Sequence, residues 1–322
     1  MHRVLDRLRE NIRSVYFGNP GAVDRLVVCL LARGHVLIED VPGVGKSLLA
    51  TALARSLDCR LSRIQFTPDM LPSDVLGVSV FNRETGEFDL KRGPIFSNIV
   101  LADEINRTTP RTQAAMLEAM NEASVSLEGR IIPLEQPFMV IATQNPMEFE
   151  GAYPLPESQL DRFLMRIHLG YPTPEEEAHV LEARPGLSVG DPSLNGDARL
   201  GAIHHLRPVA TRDEVLDLQR RVDGVKTDRS LIDYIVRIAN ATRVHPDVEV
   251  GVSTRGALAL AQAARATALL NGRDYCIPED IGANVEAVCA HRVRLKGYAL
   301  RGKADSAAGL VQRIAETVDV PV

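Results

Sequence analysis

A glycine-rich loop between two apolar segments has the residues needed to hold phosphate groups. The loop, Glu39–Ser47, follows the strand-like run Val36–Ile38 and leads into a helix-like segment, Ser47–Leu57. Backbone N–H groups of such a loop and the N-terminus of the helix after it bind phosphate oxygens. Lys46 would reach the β- and γ-phosphates of a nucleotide, and Ser47 would ligate Mg²⁺. The predicted phosphate-binding residues are Asp40, Val41, Pro42, Gly43, Val44, Gly45, Lys46, Ser47 and Leu48.

One position of the loop departs from the usual pattern G-x-x-x-x-G-K-[ST]. Asp40 stands where the first glycine is expected. The alternative interpretation is a glycine-rich turn that binds no ligand. The strand before the loop, the helix after it and the intact run Gly45–Ser47 favour a phosphate-binding loop.

Acidic and amide side chains come at the ends of two more strand-like runs. Asp103 and Glu104 follow Ile99–Ala102, and Asn145 comes shortly after Phe138–Thr143. Downstream of a phosphate loop, Asp103 can hold the water shell of the metal, and Glu104 can orient and deprotonate a water that attacks the γ-phosphate. The Asn145 amide could hold that water in place. Taken alone, these residues would be interpreted as a surface turn and an asparagine that shapes a turn.

The elements that must position these residues alternate between strand and helix from about residue 34 to residue 170. This order predicts a parallel α/β sheet. Two segments interrupt it, residues 78–90 and 125–134, and each has a short polar connection containing glycine that predicts a β-hairpin. Ahead of the first strand, residues 1–17 predict a docked amphipathic helix. Its apolar face would consist of Leu5, Leu8, Ile12 and Val15.

Beyond residue 174 the strand signals mostly vanish and the chain is predicted to be helical. Helix-like stretches lie near residues 175–183, 213–224, 228–243, 254–270, 278–295 and 305–318. A connection rich in Gly, Pro, Asp and Ser, Pro185–Gly196, separates the first of these from the rest. The predicted organisation is an α/β domain over residues 1–172, a linker over 173–196 and a helical domain over 197–322.

Length and composition exclude several classes of protein. With 322 residues the chain has room for about two domains, and 45% hydrophobic and 25% charged residues are ordinary for a globular protein. The net charge of −5, the aromatic content of 4% and the absence of Trp argue against nucleic acid as a partner. The longest apolar run, Leu26–Ala32, is too short to span a bilayer, and the N-terminus lacks an apolar signal core. We therefore expect a cytoplasmic protein without membrane insertion.

Longer motifs give the chain a family resemblance. Together with the loop and the acidic pair, the runs Gln65–Asp74, Leu101–Arg107 and Leu155–Phe163 resemble the MoxR family of AAA+ ATPases. The resemblance extends from about residue 4 to the C-terminus and includes Gly272–Tyr275 and His291-Arg292 in the helical part. It implies an AAA+ P-loop α/β domain with a helix-2 insert and a pre-sensor-1 hairpin, followed by a small all-α lid domain. ATP would lie in the crevice between the two domains.

The resemblance also implies roles for individual residues, with ATP and Mg²⁺ as cofactors. Aspartate commonly replaces the first Walker A glycine in this family, so the resemblance implies that Asp40 is a normal feature of the loop. The matching positions are Lys46 and Ser47 in Walker A, Asp103 and Glu104 in Walker B, Asn145 as sensor 1, Arg162 as an arginine finger and Arg255 as sensor 2. Of these, the metal ligands would be Ser47 and Asp103, and the catalytic residues would be Lys46, Glu104, Asn145 and Arg162.

Some of these assignments leave alternatives open. A finger that one subunit offers to its neighbour's nucleotide raises the rate by ~10³–10⁵-fold, but Arg162 could instead form a salt bridge with Asp161 or another neighbour. The motif around Arg255 has Thr254 where the family usually has proline. Two more arginines could face a neighbouring subunit or line a solvated helix face, namely Arg107 and Arg111.

The function implied is ATP hydrolysis in a ring of identical subunits, a hexamer, that remodels or activates a protein partner. That partner would be a protein with a von Willebrand factor A (VWA) domain or a metalloprotein complex. The alternatives are a nucleic-acid motor, a magnesium chelatase subunit and a scaffold that binds nucleotide without hydrolysis.

The first hairpin has three basic and three acidic residues between Arg83 and Arg92. The charged residues of the second are Glu122, Glu128, Arg130 and Glu135. Because a loop that tracks phosphates should be basic, these charges favour a protein partner.

Overall fold

The computed structural model describes residues 2–145, 153–182, 203–297 and 307–321. The chain divides into two compact units. The first comprises residues 1–25, 37–154 and 168–216, and the second comprises residues 26–36, 155–167 and 217–322. The predicted connection over residues 185–196 lies outside the described residues, and the predicted domain boundaries stay predictions.

Helices and strands follow one another in the order that the sequence pattern predicts for most of the chain. The helices are α1 (His2–Arg13), α2 (Pro20–Leu31), α3 (Lys46–Ser56), α4 (Pro72–Leu76), α5 (Pro110–Glu122), α6 (Glu157–Leu160), α7 (Pro174–Glu182), α8 (Arg212–Asp223), α9 (Arg229–Val244), α10 (Thr254–Leu270), α11 (Pro278–Cys289) and α12 (Ala307–Glu316). The strands are β1 (Val36–Glu39), β2 (Leu61–Gln65), β3 (Gly77–Phe81), β4 (Phe88–Arg92), β5 (Ile99–Asp103), β6 (Ser124–Leu127), β7 (Arg130–Pro133), β8 (Met139–Gln144), β9 (Met165–Ile167), β10 (Val248–Val250) and β11 (Arg294–Leu295).

A parallel sheet forms the centre of the first unit. Strands β2, β5, β8 and β1 lie side by side in that order, as four strands of a five-stranded sheet. β2 pairs with β5, and β5 with β8, in parallel, so that Gln65 lies opposite Asp103 and Ile99 lies opposite Met139. β5 is buried along its whole length, as is usual for a central parallel strand. The carboxyl ends of these strands therefore meet at one edge of the sheet.

The sequence pattern did not predict β2. This strand lies at the edge of the sheet, and of its five residues only Ile64 is fully buried. Ser62, Arg63 and Gln65 interrupt the apolar pattern because an edge strand needs to bury little of its surface. The short helix α4 was not predicted either.

Both predicted hairpins are confirmed. β3 and β4 pair antiparallel, with Phe81 opposite Phe88, and β6 pairs antiparallel with β7. The second hairpin turns through Glu128 and Gly129, whose φ angles are +49° and +75°. Two successive residues with positive φ form the tight turn whose twist matches that of the paired strands.

The amphipathic N-terminal helix is also confirmed. It ends at Arg13, somewhat earlier than predicted. The four residues predicted for its apolar face are all buried, although Val15 lies just beyond the end of the helix: Leu5, Leu8, Ile12 and Val15. No helix in the described part of the chain is long and apolar enough to cross a membrane.

The second unit is mostly helical, with one correction to the predicted elements. α11 ends at Cys289 rather than near residue 295, and a 3₁₀ turn over Ala290–Arg292 follows it. β11 then pairs antiparallel with β10, with Val248 opposite Leu295. These strands have three and two residues, too few to show a period of two in the sequence.

Candidate functional site

The predicted phosphate loop lies between β1 and α3, and two glycines shape it. Gly43 and Gly45 have φ angles of +89° and +93°, in the left-handed region that favours glycine. Gly45 directly precedes α3, and within the described residues no side chain caps the start of this helix. The first N–H groups of a helix have no partner inside it, so they are suited to bind an anion here.

Lys46 stands at the start of α3 with its ammonium group beside the loop. Its Nζ lies 2.5 Å from the Asp40 carbonyl oxygen and 3.3 Å from the Gln144 carbonyl oxygen. Both acceptors are neutral, and they keep the positive charge next to the N–H groups of the predicted phosphate loop. A cation in this place can bind phosphate oxygens by charge-assisted hydrogen bonds.

Asp40, the departure from the usual loop pattern, has a structural task. Its Oδ2 accepts hydrogen bonds from the backbone N–H groups of Leu169 and Gly170, each at 2.8 Å, and its Oδ1 accepts one from Val41 N–H at 2.8 Å. A glycine would offer no acceptor to these three donors. The carboxylate therefore ties the start of the loop to residues 169–170, while its predicted contact with nucleotide stays a prediction.

Asp103 lies at the end of β5 and is almost fully buried. Its Oδ2 is 3.3 Å from Ser47 Oγ, and its Oδ1 accepts a hydrogen bond from Thr143 Oγ1 at 2.5 Å. Arg63 Nη2, on the neighbouring strand β2, donates to the same Oδ2 at 2.8 Å. The structure thus brings together the two predicted metal ligands, Ser47 and Asp103, and adds two partners that the sequence pattern did not identify.

Glu104 follows Asp103 in a left-handed conformation, with φ of +57°. Its N–H donates to Thr143 Oγ1 at 2.9 Å. Its Oε2 accepts a hydrogen bond from Gln65 Nε2 at 2.8 Å and lies 3.2 Å from Arg107 Nε. Arg107 is therefore an ion-pair partner of Glu104, an alternative that the sequence analysis did not consider.

Asn145 is buried just beyond the end of β8. The residue before it, Gln144, donates from Nε2 to Glu39 Oε1 at 2.6 Å and accepts a hydrogen bond from Asp40 N–H through its carbonyl oxygen. The end of β8 is thus joined to the start of the phosphate loop. The role of Asn145 as a residue that holds the attacking water stays a prediction.

Tyr16 was not identified from the sequence, although it borders the loop. A Cβ atom built on Gly45 would lie 3.3 Å from the Tyr16 ring, and the ring is buried. Burial, together with the negative charges of Glu176 and Asp40, raises the pKa of the Tyr16 hydroxyl to about 12. The sequence contains no pattern that would connect this residue with the loop.

Arg162 and Arg255 lie in the second unit. Asp161, the suggested salt-bridge partner of Arg162, instead binds Arg292, with 2.6 Å between Asp161 Oδ1 and Arg292 Nε. Arg255 Nε lies 3.9 Å from the other carboxylate oxygen, Asp161 Oδ2. Within the described residues, the Arg162 guanidinium has no hydrogen-bond or ion-pair partner. Thr254 is the first residue of α10 after the cap Ser253, a position where proline is also favoured.

Arg63, Gln65 and Thr143 are the residues around the two acids to which the sequence analysis assigned no role. Arg63 and Gln65 are two residues apart on β2, so they share one face of that strand. A period of two in the polar residues was therefore the available signal. It could be used only once β2 itself was known to be a strand next to β5.

Known proteins resemble both the α/β part and the helical part of the chain. Residues 35–165 match the ATPase family associated with various cellular activities (AAA), and residues 240–314 match the AAA lid domain. A crystal structure of a Cytophaga hutchinsonii protein described as an ATPase has a TM-score of 0.87 and 35% identity, covering 100% of this chain and 96% of that one. The chain therefore has the AAA ATPase fold with its lid domain, as predicted.

Two relatives place the chain more closely. The uncharacterised protein YeaC of Bacillus subtilis is 47% identical, covering 100% of this chain and 96% of the relative. The chaperone MoxR1 of Mycobacterium tuberculosis is 39% identical, covering 98% of this chain and 82% of the relative. The chain belongs to the MoxR family of AAA+ ATPases, which confirms the resemblance found in the sequence.

Proposed function

We propose that this protein hydrolyses ATP in a Mg²⁺-dependent reaction and uses the energy to remodel or activate a protein partner. The observation that carries the proposal is the meeting of Lys46, Ser47, Asp103 and Glu104 at one edge of the sheet in the first unit. Ser47 Oγ lies 3.3 Å from Asp103 Oδ2, and Glu104 is the next residue along the chain. An ammonium, two oxygen ligands and a carboxylate base are the groups that phosphoryl transfer to water requires.

The residues around Asp103 fit a magnesium ion. Mg²⁺ prefers oxygen ligands and often binds through one or two protein groups together with water and phosphates. Ser47 and Asp103 supply a hydroxyl and a carboxylate, and the Thr143 hydroxyl orients that carboxylate from its other side. When bound, the ion would neutralise charge on the phosphate oxygens.

Glu104 is the residue proposed to activate water. Gln65 and Arg107 both contact its Oε2, which fixes the direction of the carboxylate. Glu104 would accept a proton from the water as its oxygen attacks the γ-phosphorus, and Lys46 would stabilise the negative charge on the phosphate oxygens. Asn145 would hold the water.

We extend the proposal to the assembly and to its partner. The finger role of Arg162 requires a neighbouring subunit, so we propose a ring of identical subunits, a hexamer, in the cytoplasm. For Arg255 we propose the role of sensor 2. Phe81 and Phe88 on the first hairpin are more than half exposed and lie edge to face with ring centroids 5.2 Å apart. Exposed aromatic side chains with mixed charges around them support a protein partner, for which we propose a VWA-domain protein or a metalloprotein complex.

The variant Glu104→Gln tests the proposal. It should bind ATP with an affinity within about threefold of that of the wild type and hydrolyse it ~10²–10⁴-fold more slowly, because the amide cannot accept the proton. Glu118→Gln is the matched control, since Glu118 is an exposed residue of α5. Turnover by Glu104→Gln equal to that of Glu118→Gln would disprove the role of Glu104.

The same variant tests the assembly and the partner. With ATP bound and hydrolysis slow, Glu104→Gln should accumulate as rings whose mass, measured by mass photometry, gives the number of subunits. Proteins that co-purify with it in ATP, but not without nucleotide, identify the partner. A monomer at every ATP concentration would contradict the proposed ring.

A further inference from the structure

A buried arginine of the second unit holds the chain segment that carries Arg162. Arg292 follows α11, and its side chain is only 3% exposed. Its Nε donates to Asp161 Oδ1 at 2.6 Å, and its Nη2 donates to the carbonyl oxygens of Asp161 and Phe163 at 3.2 and 2.7 Å. Its Nη1 donates to the Leu164 carbonyl oxygen at 3.2 Å. One guanidinium therefore bonds to the residues on both sides of Arg162.

The guanidinium shape is needed for this set of contacts. Nη1 of Arg292 also donates to the carbonyl oxygen of Val288, so each of the three guanidinium nitrogens reaches an oxygen acceptor. A lysine ammonium presents its donors from a single point and could not span acceptors on both α11 and the segment 161–164. Burying the charge of Arg292 is costly unless its hydrogen bonds are satisfied, as they are here by Asp161 and by backbone carbonyl oxygens.

His291 adds a second contact to the same segment. Its Nε2 lies 3.1 Å from the Phe163 carbonyl oxygen and 2.8 Å from Arg292 Nη1. The imidazole is buried, and burial lowers its pKa well below 6.5, with the positive charge of Arg292 lowering it further. The ring is therefore neutral at pH 7 and packs beside Arg292 without charge repulsion.

The side chain of Arg162 contrasts with its fixed backbone. It is half-buried and has no side-chain partner among the residues that the structure describes. Asp161, which could have paired with it, is turned to Arg292 instead. These contacts therefore fix the backbone at Arg162, and among the described residues no ion pair holds its guanidinium.

We infer that Arg292 is a positioning residue for Arg162. By fixing residues 161–164, it determines the direction in which Arg162 projects towards a neighbouring subunit. The inference rests on the proposed action of Arg162 on the neighbour's nucleotide. Because a misplacement of about 1 Å can cost ~10²-fold in rate, loss of the Arg292 contacts should impair the finger without removing it.

The test is Arg292→Lys in mixed rings. Alone, this variant should bind ATP with an affinity within about threefold of that of the wild type and turn over about 10- to 100-fold more slowly. Mixed with an excess of Glu104→Gln subunits, each Arg292→Lys subunit keeps its own Glu104 and receives an intact finger from its neighbour. Turnover for each Arg292→Lys subunit should therefore rise. A defect confined to the variant's own site would not be rescued.

The control mixture separates this inference from the proposed function. Arg162→Ala mixed with Glu104→Gln should recover turnover in the same way. If that mixture fails, action of the finger in trans is wrong and the role of Arg292 falls with it. If it recovers while the Arg292→Lys mixture does not, only the role of Arg292 is overturned.

Two further variants guard against an effect of stability alone. Arg273→Lys disturbs another bidentate pair of the second unit, in which Arg273 binds both carboxylate oxygens of Asp280 at 2.7 and 2.6 Å. It should lower the melting temperature and leave turnover unchanged below it. If Arg292→Lys does not fold, His291→Gln, which removes the imidazole contact to Phe163, replaces it in the same mixture. A slowed His291→Gln that is not rescued would then overturn the inference.

Discussion

Replacing Asp40 by glycine would restore the usual loop pattern, and we predict that it damages the loop. The Asp40 carboxylate accepts hydrogen bonds from the N–H groups of Val41, Leu169 and Gly170. Glycine removes all three acceptor contacts and frees the backbone at residue 40. The change should therefore loosen the connection between the start of the loop and residues 169–170.

The size of the effect follows from burial. A hydrogen bond to a charged group contributes about 1.5–3 kcal/mol, but water can replace it wherever the donor is exposed. Leu169 is 3% exposed, whereas Gly170 is exposed and Val41 is intermediate. The lost hydrogen bond from the buried Leu169 N–H therefore accounts for most of the lost free energy, and the added backbone freedom of glycine costs about 0.5–1 kcal/mol more. We expect a total of about 2–3 kcal/mol for local opening.

Amide hydrogen exchange measures this opening directly. Since each 1.4 kcal/mol corresponds to tenfold, protection of the Leu169 amide should fall about 30- to 100-fold in Asp40→Gly. Asp40→Asn keeps one acceptor oxygen and should show a smaller loss. Asp58→Gly is the matched control, because Asp58 is exposed and the same glycine entropy is introduced. Unchanged protection of Leu169 in Asp40→Gly would refute the structural task assigned to Asp40.

Two further predictions concern cation competition and acid stability. Arg63 and a divalent cation compete for Asp103 Oδ2, so Arg63→Gln should tighten Mn²⁺ binding about two- to fivefold. The effect is small because Arg63 is half exposed and such an ion pair contributes at most ~1 kcal/mol. Electron paramagnetic resonance of free Mn²⁺ measures the affinity, and unchanged or weaker binding would contradict the prediction. His291 has a folded-state pKa well below 6.5 because of its burial and the charges of Arg292 and Arg166, so its contribution to stability is present above pH 6.5 and is lost as the pH falls. Melting temperatures from pH 7.5 to 5 should therefore fall more steeply for the wild type than for His291→Gln, and parallel curves would count against this explanation.

The parts of the fold that depend on local sequence were predictable. The second hairpin turns at Glu128 and Gly129, and the buried strand β5 consists of apolar residues up to Asp103. Each of these two signals is contained within a few consecutive residues. β2 was missed because an edge strand carries polar side chains, and the ribbon of β10 and β11 was missed because its strands are too short to show a pattern.

The candidate site was predictable in its types of residue and not in its contacts. The sequence pattern identified Asp103 and Glu104 as an acidic pair, but it did not show that Arg63 and Gln65 contact them. Arg63 and Asp103 are 40 positions apart along the chain, and Gln65 and Glu104 are 39 positions apart. They exist because β2 pairs with β5 in one register, with Gln65 opposite Asp103.

By itself the sequence determined the glycine-rich loop, the buried strands and the AAA+ ATPase family, because glycine conformations, apolar runs and short motifs act over short distances along the chain. Only the tertiary structure decided what each charged group contacts. Asp40 reaches residues about 130 positions away, and Arg292 reaches Asp161 across 131 positions. The physical reason is that hydrogen bonds and ion pairs depend on distance in space, and strand order and helix packing set that distance.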